Sequence, residues 1–302
     1  MAQKLDEIPY GTADALEVLN RGESPLGDVE IQADPSYEFD KADHVANGIA
    51  MRNRTSGTIH LRAVPKGSQV VLSLLYWNIS DGNATGKDSM PILFNGNLII
   101  GRKTADNPDP CWGLVGNHSY VGDVTQFTNQ TGTPNQDYHV VMVFDETTVT
   151  SGENPWTTGS GPINAEGATL IVVYQGPNTS GSLAIYDKLS GTTFTNTFNA
   201  TLTNPGFLSP GQPDLFTMVG ADGQLGGGYS ISLTNELSFF NGNQIAGPPV
   251  TNSDWDGSDG WPLVQLWDTH THEVKIGGAV SRIAYQTNGD CLVPVAFVLD
   301  DR

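Results

Sequence analysis

A four-residue sequence that occurs twice in the chain constrains its fold more than any other feature. Phe-Asn-Gly-Asn stands at Phe94–Asn97 and again at Phe240–Asn243, each time between apolar stretches. Downstream, the segment Trp112–Val115 (Trp-Gly-Leu-Val) is echoed by Trp261–Val264 (Trp-Pro-Leu-Val). These ordered matches keep a nearly constant spacing, and small loop insertions explain its drift. The sequence therefore predicts two copies of one β-rich unit.

Composition and periodicity give the same fold class. The chain has 35 glycines and 18 prolines with only 16% charged residues, which is typical of short strands joined by turns. Residues Gly57–Val64 alternate polar and apolar side chains, whereas Gln69–Trp77 are continuous enough to be buried on both faces. Regular alternation of strands with helices is absent, which excludes a parallel α/β fold. We predict an all-β protein of two tandem antiparallel, jelly-roll-like sandwiches.

The predicted domains are an irregular N-terminal arm (residues 1–45), a first sandwich (46–203) and a second sandwich (204–302). The clearest linker is the Gly/Pro-rich run Asn204–Pro213. The arm has too little apolar content for a core of its own, and Thr12–Asn20 is its one helical pattern. Its segment Val29–Ala33 alternates like an edge strand. This segment could pack on its own subunit or complete a neighbouring subunit; we adopt the second as the hypothesis, because it would propagate into a filament.

Charge and hydropathy exclude several classes of partner. Lys and Arg total 14 against 33 Asp and Glu, a formal net charge of −19, so the surface repels nucleic acid and anionic lipid. No apolar run is long enough for membrane insertion. Residues 1–22 lack the basic start and apolar run of a signal peptide. This leaves a cytosolic protein or a mature exported segment, and the low Lys content favours an extracellular or cell-surface location.

The two cysteines leave two alternatives open. Cys111 and Cys291 could form one disulfide that joins the halves of an exported protein. Alternatively, Cys291 is a buried small hydrophobe and Cys111 a partly covered thiol.

Several segments together resemble a known group of proteins. They are Leu74–Trp77, the Asn-Gly turn that follows it, Tyr120–Thr125, Gly167–Tyr174 and Leu183–Asp187. This set resembles adhesin-like or matrix proteins, which are large secreted β-sandwich proteins of prokaryotic surfaces, over roughly residues 57–300. The resemblance implies an extracellular β-sandwich with a surface role and supplies no catalytic residues. Similar elements occur loosely in galactose-binding-type sandwiches, which keeps a glycan partner as an alternative.

An acidic loop is the main candidate for chemistry. Asp254, Asp256 and Asp259 place three carboxylates in a short Gly-containing stretch, and hard cations prefer several oxygen ligands. These three residues are therefore candidate calcium ligands, although the spacing does not fit the helix-loop-helix calcium pattern and a solvated acidic turn is the alternative. Asp106 and Asp109 occupy the matching loop of the first unit and could form a weaker second site, or simply a turn around Pro108 and Pro110.

Other residues offer weaker signals. His270 and His272 flank Thr271 on a predicted strand, so both rings should share one face and, with Glu273, could begin a metal site. A solvent-facing pair is the competing interpretation. The six tryptophans could stack on sugars, but the repeated Trp112 and Trp261 favour core positions.

The sequence contains no nucleophile elbow, phosphate loop or Cys–His pair, so we predict that the protein is not an enzyme. We expect a structural or adhesive subunit of an extracellular assembly that associates with itself, possessing no certain cofactor. The alternative is a carbohydrate- or calcium-dependent binding module. A concave patch with exposed aromatics would indicate the module, and self-complementary surfaces would indicate the subunit.

Overall fold

A computed structural model describes residues 28–52, 54–109, 114–129, 132–144, 161–194, 196–206, 208, 214–223, 236–260, 266–287 and 290–302. Within these ranges the chain is all-β, as the composition predicts. The predicted helix Thr12–Asn20 lies outside them. Their helical elements are one short turn, α1 (Thr125–Thr128), and one 3-10 turn (Ser258–Gly260). Neither is long and apolar enough to cross a membrane.

The described strands are, in chain order, β1 (Val29–Ala33), β2 (Tyr37–Phe39), β3 (Asp43–Ala50), β4 (Ser56–His60), β5 (Gln69–Asp81), β6 (Ser89–Phe94), β7 (Asn97–Pro108), β8 (Gly116–Asp123), β9 (Asp137–Met142), β10 (Ile163–Gln175), β11 (Ser182–Tyr186), β12 (Thr197–Thr203), β13 (Asp214–Ala221), β14 (Leu237–Phe240), β15 (Asn243–Ala246), β16 (Trp267–Val274), β17 (Val280–Gln286) and β18 (Val293–Asp301).

These strands form three sheets. The barrel sheet has eight strands in the order β3-β10-β5-β8-β7-β6-β9-β4. The middle sheet has five in the order β16-β13-β18-β11-β2, and the outer sheet has five in the order β1-β12-β17-β14-β15. Among the described strands, β1 and β12 are parallel and the other paired strands are antiparallel.

The barrel sheet curls until its edge strands β3 and β4 lie side by side. The Ile49 side chain lies against Gly57, where a Cβ would come within 2.6 Å of the Ile49 Cγ1. The sheet is continuous because the first half of the long strand β7 pairs with β6 and its second half pairs with β8. The β7–β8 ladder contains a register shift between Lys103 and Ala105. The first half therefore forms one continuous sheet that is nearly closed into a barrel.

The three sheets are stacked with the middle sheet in the centre. One apolar core fills the barrel sheet, a second lies between the middle and outer sheets, and a third lies between the middle and barrel sheets. Strands β11, β13 and β18 are consequently buried at every residue. Strands covered on both faces need apolar side chains on both faces, which explains their near-continuous hydrophobic sequences.

The strand order of the chain recurs with a shift of eight strands. The barrel sheet consists of two four-strand runs, β3-β10-β5-β8 and β7-β6-β9-β4. Raising each strand number by eight gives β11-β18-β13-β16, which is part of the middle sheet, and β15-β14-β17-β12, which is part of the outer sheet. Even the bulges correspond, because Glu166 is the extra residue where β10 pairs with β5 and Val295 is the extra residue where β18 pairs with β13. Both Asn-Gly turns close hairpins between counterpart strands, as the sequence repeat predicts.

The sheets combine strands from all three predicted domains. Strands β11 and β12, from the range 46–203, pair with β18 and β17. In the predicted arm, β1 pairs with β12 and β2 pairs with β11 of the same chain. Val29 and Ile31 pack on the core while Glu30 stays exposed, which explains the alternation of this segment. Val29–Ala33 thus takes the intrachain alternative here, while the predicted ranges remain a prediction about folding units.

Cys291 is buried and disulfide-bonded. The one other cysteine of the sequence, Cys111, lies outside the described residues.

Candidate metal centre

The candidate site forms where the loop of residues 253–260 folds onto β16, an edge strand of the middle sheet. Side chains alternate along a strand, so Asp268, His270 and His272 share one face of β16, as predicted for the two histidines. Glu273 belongs to the other face and is exposed. Trp255 anchors the loop, because its ring is fully buried edge-on against Tyr285 with 5.0 Å between the centroids.

Two carboxylates and one imidazole meet in the centre of the site. The His270 Nε2 atom lies 3.6 Å from the Asp256 Oδ1 atom and 3.6 Å from the Asp268 Oδ1 atom. The Ser258 backbone N–H donates hydrogen bonds to the same two oxygens at 3.0 and 3.1 Å. One ligand atom from each of Asp256, Asp268 and His270 can be chosen so that all lie within 4.8 Å of one another.

Burial and charge shift the pKa values of these groups in opposite directions. Burial raises the pKa of Asp268 well above its ordinary value. Burial also opposes the charged forms of His270 and Asp256, but hydrogen bonds and opposite charges around them outweigh the effect of burial. Asp256 and Asp268 raise the pKa of His270 to about 11. Hydrogen bonds from His270 and Ser258 lower the pKa of Asp256. His270 is therefore an imidazolium ion between two acids at neutral pH when no other cation is bound.

The other two predicted calcium ligands point to different partners. The buried Asp254 accepts a hydrogen bond from His272 Nε2 at 2.6 Å. Asp259 lies against β3 of the barrel sheet, where a Cβ on Gly48 would come within 2.0 Å of the Asp259 Oδ2 atom. Burial raises the pKa of Asp259 to about 7. Of the three predicted ligands, the central cluster contains Asp256, whereas Asp254 and Asp259 flank it.

Sequence reasoning missed Asp268, the best buried acid of the cluster. The signal was present, because Asp268 stands two residues before His270 on the same predicted strand and must share its face. Its contact with Asp256 depends on how the loop folds back, which local sequence does not encode.

The matching region of the first unit is built differently. Asp106 Oδ2 is 2.7 Å from the Lys103 ammonium nitrogen, and its Oδ1 is 2.7 Å from His118 Nδ1. His118 occupies the ladder position in β8 that Asp268 occupies in β16, as the two bulges align the strands. A lysine thus supplies the positive charge there. Asp109, the other predicted residue, is buried.

The described tryptophans are core residues. Trp77, Trp255 and Trp267 are fully buried, so they are not available to stack on a glycan. Trp112, Trp156 and Trp261 lie outside the described residues.

Comparisons with known proteins identify no family. No family model and no curated protein matches the chain. Among solved structures, this chain has a weak similarity to two structures of BuGH86 in complex with neoagarooctaose, one of the wild-type protein and one of a Glu-to-Gln variant. In both cases the sequence identity is 11%, the TM-score is 0.27, and the match covers 82% of this chain and 34% of the other. The chain thus spans about a third of those proteins, and so distant a likeness says nothing about its activity.

Proposed function

We propose that the protein is a structural subunit of a multi-copy assembly, built as two tandem jelly-roll units. The recurrent strand order supports the two units, since β3–β10 and β11–β18 each follow the eight-strand connectivity of a jelly roll. Jelly rolls are common in capsid and lectin domains, which makes assembly and glycan binding the two functions to weigh. An extracellular or cell-surface location and an adhesive role belong to the same proposal.

The observation that carries this proposal is an apolar face on the outside of the barrel sheet. We name it the hairpin face; its residues are Pro91 and Leu93 on β6, Leu98 and Ile100 on β7, and Val141 on β9. Leu98 and Ile100 are each 60% exposed, and they are two of the four large exposed hydrophobic residues in the described ranges. Ladder pairing sets Leu93 beside both Leu98 and Val141, so these side chains are contiguous. Exposed contiguous apolar patches mark interaction sites.

Charge favours a second copy of the chain as the occupant of the hairpin face. With a net charge of −19, two copies repel one another over most of their surface. The hairpin face carries no acidic residue, and the nearby Asp137 is paired with His60 at 2.9 Å and with Arg62 at 2.6 Å. Copies can therefore approach here with less repulsion while burying apolar surface.

Assembly through the N-terminal arm remains a separate prediction. The parallel β1–β12 ladder could form between neighbouring subunits as well as within one, since a swapped strand makes the same hydrogen bonds. Such an exchange would propagate into a filament, whereas contact between two hairpin faces would pair subunits.

Sedimentation velocity over a range of concentrations tests the proposal. We expect wild-type protein to self-associate, and a Leu98→Lys/Ile100→Lys variant to associate at least about 10-fold more weakly, which corresponds to about 1.4 kcal/mol. The matched control is Val250→Lys, because Val250 is 56% exposed outside the hairpin face. Wild-type protein that stays monomeric, or a variant that associates like the control, would contradict the proposal. Loss of association only on deletion of residues 1–34, with the fold retained, would favour strand exchange.

One cavity favours glycan binding as the second candidate. It has a volume of about 570 Å³, within the size range of ligand sites, and lies at one end of the barrel sheet. Its lining combines Asp81, Asn83 and Tyr120 with the apolar Met90 and Phe144. Calorimetry with a panel of neutral oligosaccharides tests this candidate. Binding that is lost in an Asn83→Ala variant would support it, and absence of binding at millimolar concentration would eliminate it.

A further inference from the structure

We propose that Asp256, Asp268 and His270 form a binding site for one divalent transition-metal ion of the zinc class. This differs from the calcium site expected from the sequence, because calcium takes oxygen ligands whereas an imidazole nitrogen suits zinc and its neighbours. The set of one histidine and two carboxylates comes from two segments, the loop and β16, that the fold holds together.

The geometry fits an ion of this size. Ligands about 2.0–2.2 Å from a tetrahedral zinc ion lie about 3.4 Å from one another. The His270 Nε2 atom lies 3.6 Å from each carboxylate oxygen, so only small shifts would place the ligands around an ion. The Ser258 N–H already orients both carboxylates, as an outer hydrogen bond does in metal sites.

A buried oxygen without a partner gives an independent reason for a cation. Asp268 is fully buried, and its Oδ2 atom has no hydrogen-bond partner among the described residues. A buried acceptor without a partner costs free energy, and a divalent ion bound by Asp268 would compensate its carboxylate.

The balance of charge also distinguishes this place from its counterpart. In the first unit the acids face Lys103 and His118. Around the proposed site, the ion pairs of the described residues give Asp254, Asp256 and Asp268 only histidine partners. A bound metal ion would supply the positive charge that Lys103 supplies in the first unit.

Metal binding would also hold the middle sheet to the barrel sheet. The loop that carries Asp256 continues into the 3-10 turn whose Asp259 lies against Gly48 of β3. Beside it, Thr169 and Thr269 share a hydrogen bond of 2.7 Å between the two sheets. Fixing the loop on β16 therefore strengthens this junction.

The test uses full-length, tag-free protein stripped with a chelator and then titrated with zinc, cobalt or calcium. Calorimetry should show one zinc ion per chain, and bound cobalt should give the visible absorption of a site with nitrogen and oxygen ligands. Zinc should raise the melting temperature more than calcium does, because an ion that binds the folded state stabilises it.

Two ligand variants and one control variant test the site. Asp268→Asn and His270→Gln should each weaken zinc binding by at least about 100-fold. Substitution of an outer-shell partner costs up to about 100-fold, and loss of a direct ligand should cost at least as much. Asp268→Asn is nearly isosteric and removes a buried charge, so it should stay folded. His272→Gln is the matched control on the same strand face, and it should keep the stoichiometry and the cobalt spectrum. Failure of wild-type protein to bind zinc at micromolar concentration, unchanged binding in Asp268→Asn, or preference for calcium would each overturn the proposal.

Discussion

Arg52 forms the centre of a buried ion cluster between the barrel and middle sheets. Its side chain is 1% exposed, and its Nη2 atom lies 2.7 Å from Glu166 Oε2 and 3.4 Å from Asp222 Oδ1. Glu166 is the extra residue of the β10 bulge, and Asp222 follows β13. The bulge therefore turns the Glu166 carboxylate towards the Arg52 guanidinium.

Replacing Arg52 should be far more damaging than replacing an exposed arginine. An Arg52→Met variant leaves Glu166 and Asp222 buried without this cation, and losing one partner of a buried pair costs about 3–5 kcal/mol. Arg62→Met is the matched control, because Arg62 and Asp137 are 57% and 53% exposed and such pairs contribute about 1 kcal/mol or less. Urea unfolding measures both losses. Equal losses in the two variants would show that the buried cluster does not stabilise the junction.

At the level of elements, the two Asn-Gly hairpin turns have the same backbone and the same hydrogen bonds. The φ angles are 48° and 78° at Asn95 and Gly96, and 47° and 79° at Asn241 and Gly242. Positive φ at both central residues is the type I′ turn that suits twisted hairpins. The Asn95 Oδ1 atom accepts a hydrogen bond of 2.7 Å from the His139 N–H of the neighbouring strand. The Asn241 Oδ1 atom accepts the equivalent bond of 2.8 Å from the next strand in its sheet.

We expect Asn95→Ala and Asn241→Ala to lose similar amounts of stability. Each loses a residue that tolerates positive φ and leaves a strand N–H without its acceptor, for a total of about 2 kcal/mol. Asn95→Gly and Asn241→Gly keep the freedom of φ, so they should lose only the hydrogen-bond part. Thermal unfolding of the four variants provides the measurement. A large loss at one turn and none at the other would contradict the structural equivalence of the two hairpins.

The sequence predicted those elements whose signals are local. The repeated Asn-Gly sequence predicted equivalent turns in the two halves, and the run Gln69–Trp77, which the pattern predicts as buried, lies within β5. The sequence did not predict that β7 extends to Pro108, because its second half is polar and is held as a strand by pairing with β8. Edge-strand alternation at Val29–Ala33 is local as well, but the identity of its partner, β12, depends on the whole fold.

The candidate site divides in the same way. Asp256, His270 and the shared face of the two histidines follow from residue type and strand period. The separation of Asp254 and Asp259 from the cluster does not follow from these signals, because Asp254 is bound to His272 and Asp259 lies against the barrel sheet.

For the whole molecule, the stacking of three sheets buries several acids, and these acids should make stability depend on pH. Burial leaves several acids in low-dielectric surroundings and raises their pKa values. The pKa is about 7 for Glu166, Glu236 and Asp259, and about 6 for Asp300. These acids bind protons more tightly in the folded chain than in the unfolded chain, where their ordinary values are 4.5 for Glu and 3.8 for Asp.

The sign of the effect follows from proton linkage. Since the folded state binds more protons between about pH 4 and pH 7, raising the pH through this window lowers the free energy of unfolding. His270 acts in the same direction, because its stabilising charge is fully present below its unfolded pKa of 6.5 and is lost as the pH rises through about 11. Acids whose pKa is lowered by folding, such as Asp106 and Asp137, stabilise the folded chain above their ordinary pKa of 3.8. That stabilisation is lost only as the pH falls below this value.

The melting temperature of the metal-free protein should therefore be highest near pH 4 and fall steadily towards pH 8. Calorimetry in a chelating buffer measures this curve, and the control is a Glu166→Gln/Glu236→Gln/Asp259→Asn variant. The three amides no longer titrate, so the variant should show a flatter slope between pH 5 and pH 8, although its melting temperature at any one pH can differ. The outcome that contradicts the argument is a wild-type melting temperature that rises from pH 5 to pH 8, because the buried carboxylates would then be ionised and well compensated in the folded chain.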